Sequence, residues 1–182
     1  PNRSVIGMLA RWDVQKDHRT LLRSFEKVTR KQNELELWLA GGYGIDESNS
    51  ELMAMIRELR LDDRVKLFGS LSEDLVKYYS SLDIFVLSSL GEGVPNVLLE
   101  AMSIGLPCIA SEVGDVKRVL NDVGIVVPPG DIDFLASSID TVLSLSKGER
   151  EDMGARSREK VLEHYSQSQM IESFSKIYEK VL

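Results

Sequence analysis

Residues 83–110 read DIFVLSSLGEGVPNVLLEAMSIGLPCIA, and this stretch decides the fold. Asp83 to Ser88 is a short apolar, β-branched run of strand length. Gly91 and Gly93 then mark a loop, and Pro95 suits the first turn of a helix. Asn96 to Ser103 continues with helical periodicity until Gly105 and Pro107 stop it, and Pro107 to Ala110 is a second apolar run. A strand, a helix of crossover length and another strand make a right-handed βαβ step, which implies a parallel sheet.

The same alternation extends in both directions. Further strands are expected at Ser4–Ala10, Glu36–Ala40, Arg64–Phe68 and Gly124–Val127, with helical patterns at 17–31, 49–60, 73–81 and 114–120. The fold class is therefore α/β, a Rossmann-like parallel sheet of about six strands with helices on both faces. After Val127 the turn PPGD leads to Asp131, which caps an amphipathic helix carrying Leu135, Ile139, Val142 and Leu143, and the last fifty residues read as helix throughout. The mixed run KGEREDMGARSREK in that tail is expected to be a solvated helix face.

The 182 residues suit one domain with a real core, and 13 Gly with 5 Pro are too few for a disordered or fibrous chain. A formal charge of −7 with no Lys/Arg stripe argues against a nucleic-acid groove and against a basic membrane patch. No apolar run approaches the roughly 20 residues of a membrane span. The single Cys108, read as buried and inert, allows no internal disulfide, which favours a reducing cytoplasmic setting. The start at Pro1, running straight into SVIGMLA, suggests that an upstream part belongs to the protein.

In a doubly wound sheet ligands bind where strands end, so the turns after strands carry the functional candidates. ARWDVQK follows the first strand and holds Arg11 and Lys16, a cation pair suited to a diphosphate or, equally, two solvated surface charges. GGYG follows the second, where Gly41 and Gly42 permit close backbone approach to a ligand; a tight strand-to-helix turn explains them as well. LGEGVPNVLLE follows the fourth. Its free N–H groups at the helix start form an anion site. Glu100 lies one turn beyond Asn96, about 6 Å along the axis on the same face. A carboxylate there suits vicinal ribose hydroxyls, and Glu92 in the loop suits a sugar, although a helix glutamate is often simply exposed.

At these residues the sequence resembles the retaining glycosyltransferases of family 4 (group 1), which have the GT-B architecture of two Rossmann-like domains. EGVPNVLLEAM is similar to their paired-glutamate motif, ARWDVQK to their Arg and Lys pair, and GGYG to their glycine turn. VKLFGSLSEDLVKYYSSLDIFVLSS is similar to their base-binding strand and following helix, and VGIVVPPGD to their closing strand. Ala10, in place of a frequent glycine, and Lys117 with Arg118, in place of a frequent acid, depart from the pattern.

The resemblance implies the donor-binding C-terminal half of such an enzyme over residues 1–182, with the acceptor domain elsewhere and residues 160–182 reaching toward it. It implies Glu100 on the ribose, Arg11 and Lys16 on the diphosphate, and Glu92 near the reacting carbon. The backbone of Gly93, Val94, Pro95, Asn96, Val97 and Leu98 would hold the sugar and its phosphate, and Gly69, Ser70 and Leu71 would lie along the base. The substrate would be a UDP- or GDP-linked sugar, with no metal, no other cofactor and no nucleic acid. Membrane contact, if any, would come through the acceptor half. A non-catalytic nucleotide-sugar-binding module and a related epimerase half are the rival readings.

Other polar residues have simpler explanations. Asp131 and Asp133 spell D-x-D but sit at a helix start, where Asp is a favoured cap. His18 and His164 lack Cys or His partners at ligand spacing and read as packing or surface residues. Trp12 packs within the domain, packs against the acceptor domain, or covers the site. Met170, Ile171, Phe174, Ile177, Tyr178 and Val181 give the last helix an apolar face.

Overall fold

The computed structural model describes residues 3–71 and 74–181. Strands β1 (Ser4–Leu9), β2 (Leu35–Ala40), β3 (Val65–Leu67), β4 (Ile84–Leu87), β5 (Cys108–Ser111) and β6 (Ile125–Val127) form one sheet in the order β3-β2-β1-β4-β5-β6. Every pairing is parallel. The helices are α1 (His18–Thr29), α2 (Ser50–Glu58), α3 (Leu75–Ser80), α4 (Asn96–Ile104), α5 (Val116–Leu120), α6 (Ile132–Ser144), α7 (Lys147–His164) and α8 (Gln167–Val181). Each strand expected from the sequence is present within a residue or two, and the helices cover both faces of the sheet.

The central strands are buried because both faces are covered. β4 is buried at all four residues, as is β5, which is why they read as unbroken apolar runs instead of alternating ones. Cys108 has no exposure and its thiol is pushed up by desolvation, so it is an inert core residue, as expected. The edge strand β3 is only half covered, and it is the shortest match to its expected span.

Two helix packings shape the molecule. α1 and α6 lie against each other on one face, joined by the Ser24 hydroxyl, which donates to the Ile132 carbonyl at 2.9 Å. α4 and α7 pack on the other face so closely that a Cβ on Gly154 would sit 1.8 Å from the Gly105 carbonyl oxygen. This corrects the expectation that residues 147–160 form a solvated face. Met153, Gly154, Ser157 and Val161 are buried along one stripe of α7, at helical spacing, while the charges occupy the other side. Asp131 caps α6 by accepting from the Phe134 N–H, and Asp133 pairs with Lys27, so the D-x-D spacing has a local explanation.

The strand order places β1 and β4 side by side with their following helices on opposite faces. That is the topological switch point of a doubly wound sheet, where the two outgoing loops diverge and leave a crevice.

Candidate functional site

Two loops meet at this crevice. The β1 loop makes a single 3₁₀ turn at Val14–Lys16, capped by the Asp13 carboxylate, and it is tied to the β4 loop by backbone and buried hydroxyl contacts. The Leu90 N–H donates to the Gln15 carbonyl at 2.7 Å. Ser88, with no exposure, places its hydroxyl against the Lys16 and Asp17 carbonyls at 3.1 and 3.0 Å. Two segments separated by some seventy residues are thereby held in fixed register.

Within this frame Lys16 Nζ lies 2.7 Å from Glu92 Oε1, and Ser89 Oγ donates to the same oxygen at 2.6 Å. The pair is largely withdrawn from water, with side-chain exposures of 23% for Lys16 and 10% for Glu92. One of the three ammonium donors of Lys16 is used by Glu92, which leaves two for a ligand. Arg11 is exposed and its guanidinium pairs with Asp13 at 3.3 Å, whereas Glu92 pairs with Lys16.

Beside that pair, α4 begins at Asn96 with no side-chain cap, whereas α2, α6 and α7 are capped by Asn49, Asp131 and Ser146. An uncapped helix start leaves N–H groups and the positive dipole end available to an anion. Gly93, Val94 and Asn96 are exposed, Val97 is half-buried, and Pro95 and Leu98 are buried. A Cβ at Gly93 would meet nothing within 4 Å. Glu100 follows one turn on, half-buried, with the Tyr79 hydroxyl 2.9 Å from its Oε2.

The glycine turn after β2 has a structural duty. The Gly41 and Gly42 N–H groups both donate to the Gly69 carbonyl, at 2.8 and 2.9 Å, which brings the loops after β2 and β3 together. Gly41 has φ 139°, and a Cβ there would lie 2.3 Å from the Ala10 backbone. Gly42, Gly69 and Ser70 line a cleft of about 900 Å³ with Trp12, Tyr43 and Glu51, on the α2 side of the crevice. Leu71 is half-buried against the core beyond it.

Trp12 is half-buried and its indole N–H donates to Glu51 at 3.2 Å; its ring lies 5.2 Å from that of His18. His18 is buried, and desolvation lowers its pKa to about 4, with the Ala10 carbonyl opposing that shift. The imidazole is therefore neutral at neutral pH and packs under Trp12, as the packing expectation had it. His164 is exposed next to Glu163. Among the described residues no group of three His, Cys, Asp or Glu side chains is placed to hold a metal ion.

Four residues in contact with these groups escaped sequence reasoning. Ser88 and Ser89 look like an ordinary strand end, and Tyr79 looks like helix core. Gly114 (φ 51°) lies in the loop after β5, where the Asp115 N–H donates to the Gly93 carbonyl at 3.1 Å, and a Cβ on Gly114 would fall 2.2 Å from the Glu92 carbonyl oxygen. Glycine at a strand end was the available signal for Gly114; the serines and the tyrosine carried none.

Comparison with known proteins gives the family and the fold. The family model for glycosyl transferases group 1 matches residues 3–144. N-acetyl-alpha-D-glucosaminyl L-malate synthase of Bacillus anthracis is 31% identical over 135 residues, covering 72% of this chain and 34% of that protein. Among solved structures, a glycosyltransferase from Rickettsia africae superposes with a TM-score of 0.88 at 22% identity, over 100% of this chain and 48% of that one. Anabaena HepE in complex with UDP-glucose superposes at 0.84 and 22% identity, over 96% of this chain and 49% of that one. The chain thus spans about a third to a half of the length of these three proteins.

Proposed function

The chain belongs to the group 1 glycosyl transferases, and on that premise we propose that it is the donor-binding half of a retaining enzyme that moves a sugar from a nucleoside diphosphate to an acceptor hydroxyl. The observation that carries this reading is the meeting of Lys16 and Glu92, 2.7 Å apart, beside the uncapped start of α4 at the β1/β4 switch point. A diphosphate laid along the α4 start receives N–H groups, the helix dipole and the free donors of Lys16, with Arg11 closing over it from the rim. Glu100, one turn farther along the same helix, takes the ribose, and the backbone of Gly69 to Leu71 takes the base.

In the reaction the bond between the sugar's anomeric carbon and the diphosphate oxygen breaks, and a bond to the acceptor oxygen forms on the same face. The acceptor's proton passes to the departing diphosphate, whose growing charge Lys16 and Arg11 stabilise. Glu92 lies at the junction of phosphate and sugar, where its carboxylate orders the donor sugar's hydroxyls. Charge stabilisation by two cations and a helix start supplies what a metal ion supplies elsewhere, so the proposed chemistry is metal-independent. A second domain brings the acceptor. Among the described residues no helix is long and apolar enough to cross a membrane.

Calorimetric titration with UDP, GDP, UDP-glucose, UDP-N-acetylglucosamine and GDP-mannose, in the presence of a chelator, tests the reading. Saturable binding of one nucleotide series, weakened at least tenfold by Lys16→Ala and by Glu100→Ala, is the expected result. UDP-glucose is included because the Anabaena neighbour was crystallised with it. Binding that needs a divalent ion, or that ignores both substitutions, refutes the proposal. Retention is checked by the anomeric configuration of the product of the complete enzyme.

A further inference from the structure

We propose that Tyr79 is a positioning residue for donor recognition, its buried hydroxyl holding the Glu100 carboxylate in the orientation that receives the ribose hydroxyls. The inference rests on the donor-site reading above and adds to it a residue in the core that never touches the ligand.

Tyr79 belongs to α3, and its residue exposure is 2%. Its ring is fixed by neighbours on two sides, Phe85 of β4 at 5.7 Å and Tyr78 at 5.9 Å between ring centres. The hydroxyl at its tip reaches α4, where it lies 2.9 Å from Glu100 Oε2 and 3.1 Å from the Val97 carbonyl. A phenol has one proton, so the two acceptors share it, and the charged carboxylate takes the larger part. Burial and the Glu100 charge push the Tyr79 ionisation far above the ordinary range, so the phenol keeps its proton near neutral pH.

The consequence lies in what is left of Glu100. A glutamate side chain has three rotatable bonds and would lose its rotamer freedom on binding a ligand. The rigid tyrosine takes one carboxylate oxygen before any ligand arrives. The other oxygen is then presented to a ribose with that ordering already complete. The contact to Val97 ties the same hydroxyl to the first turn of α4, so the ribose-binding carboxylate and the phosphate-binding helix start share one anchor. Tyr79 sits in KYYSS, where the sequence reads as core helix, and only the packing of α3 beside α4 brings it to Glu100.

The test compares UDP and GDP with their 2′,3′-dideoxy counterparts by calorimetry on wild type, Tyr79→Phe, Glu100→Ala and the double variant. Phenylalanine keeps the ring packing, and circular dichroism with thermal unfolding verifies the fold. Tyr79→Phe is expected to weaken the ribose nucleotide roughly three- to tenfold, about what one ordinary hydrogen bond contributes, and to leave the dideoxy form unchanged. In the Glu100→Ala background the same substitution is expected to have no effect. Equal weakening of both nucleotides makes Tyr79 merely structural and overturns the inference, as does no weakening of either. If wild type does not distinguish ribose from dideoxyribose, or Glu100→Ala keeps the distinction, the inference also falls, and the fault then lies in the donor-site reading itself.

Discussion

Replacing Gly114 by alanine adds one methyl group in the loop after β5, and its effect is calculable from two separate terms. The residue has φ 51°, the left-handed region, where a side chain costs roughly 1 kcal/mol. The second term is contact: the new Cβ would lie 2.2 Å from the Glu92 carbonyl oxygen and 2.6 Å from that of Gly93. Both are backbone atoms of the loop that leads into α4, so no flexible side chain absorbs the overlap, and the loop must retreat by roughly 1 Å to restore ordinary contact.

Gly130 is the matched control. It also has positive φ, 71°, but its Cβ would meet only Leu90 Cδ2 at 4.0 Å, so Gly130→Ala bears the conformational cost without the clash. Thermal unfolding is expected to fall by roughly 2–4 °C for Gly130→Ala and by about twice that for Gly114→Ala. Donor-nucleotide affinity should be unchanged in the first and at least tenfold lower in the second. Sugar transfer should fall by on the order of 100-fold, the cost of a misplacement of that size. If Gly114→Ala binds donor as wild type does while losing stability, the β5 loop does not set the position of Glu92 and the reasoning is wrong.

Three further outcomes are expected. His18 is buried neutral with a pKa lowered to about 4, so the unfolded chain takes up its proton first; stability is full above pH 6.5 and is lost as pH falls toward about 4, by roughly 1.4 kcal/mol per unit and about 3 kcal/mol in all. Urea unfolding of wild type and His18→Leu across that window should show the slope only in wild type. Glu92→Gln releases Lys16, so UDP or GDP alone should bind at least as tightly as to wild type while sugar transfer falls; Lys16→Ala should weaken both, and equal losses in the two variants would exclude this division of labour. Asp17 has φ 46° and caps α1 through the Thr20 N–H; Asp17→Ala loses the cap and keeps the strain already present, for about 1 kcal/mol, whereas Asp17→Gly loses the cap but relieves the strain and should be nearly neutral in urea unfolding.

Much of the candidate site is legible in the sequence. The order of strands and helices, the Arg11–Lys16 loop, the EGVPNVLLE stretch and the cap role of Asp131 all follow from local chemistry: periodicity, glycine and proline placement, and residues that prefer helix ends. The α7 stripe was misread because its charges outnumber its buried residues. A helix needs only Met153, Gly154, Ser157 and Val161 on one side to pack against α4.

What the sequence determined by itself is therefore the set of elements and the identity of the polar groups offered at strand ends, because both depend on interactions within a few residues of the chain. What only the tertiary structure decided is which of those groups meet. The 2.7 Å contact of Lys16 with Glu92, the shared oxygen with Ser89, the bracing of the Glu92 loop by Gly114 and the hold of Tyr79 on Glu100 join residues from 3 to 76 positions apart. Three of these four contacts are made between elements by the parallel order β1-β4-β5 and the packing of α3 on α4. Strand order and helix packing are settled by burial of the whole core, a property that no single stretch of sequence carries.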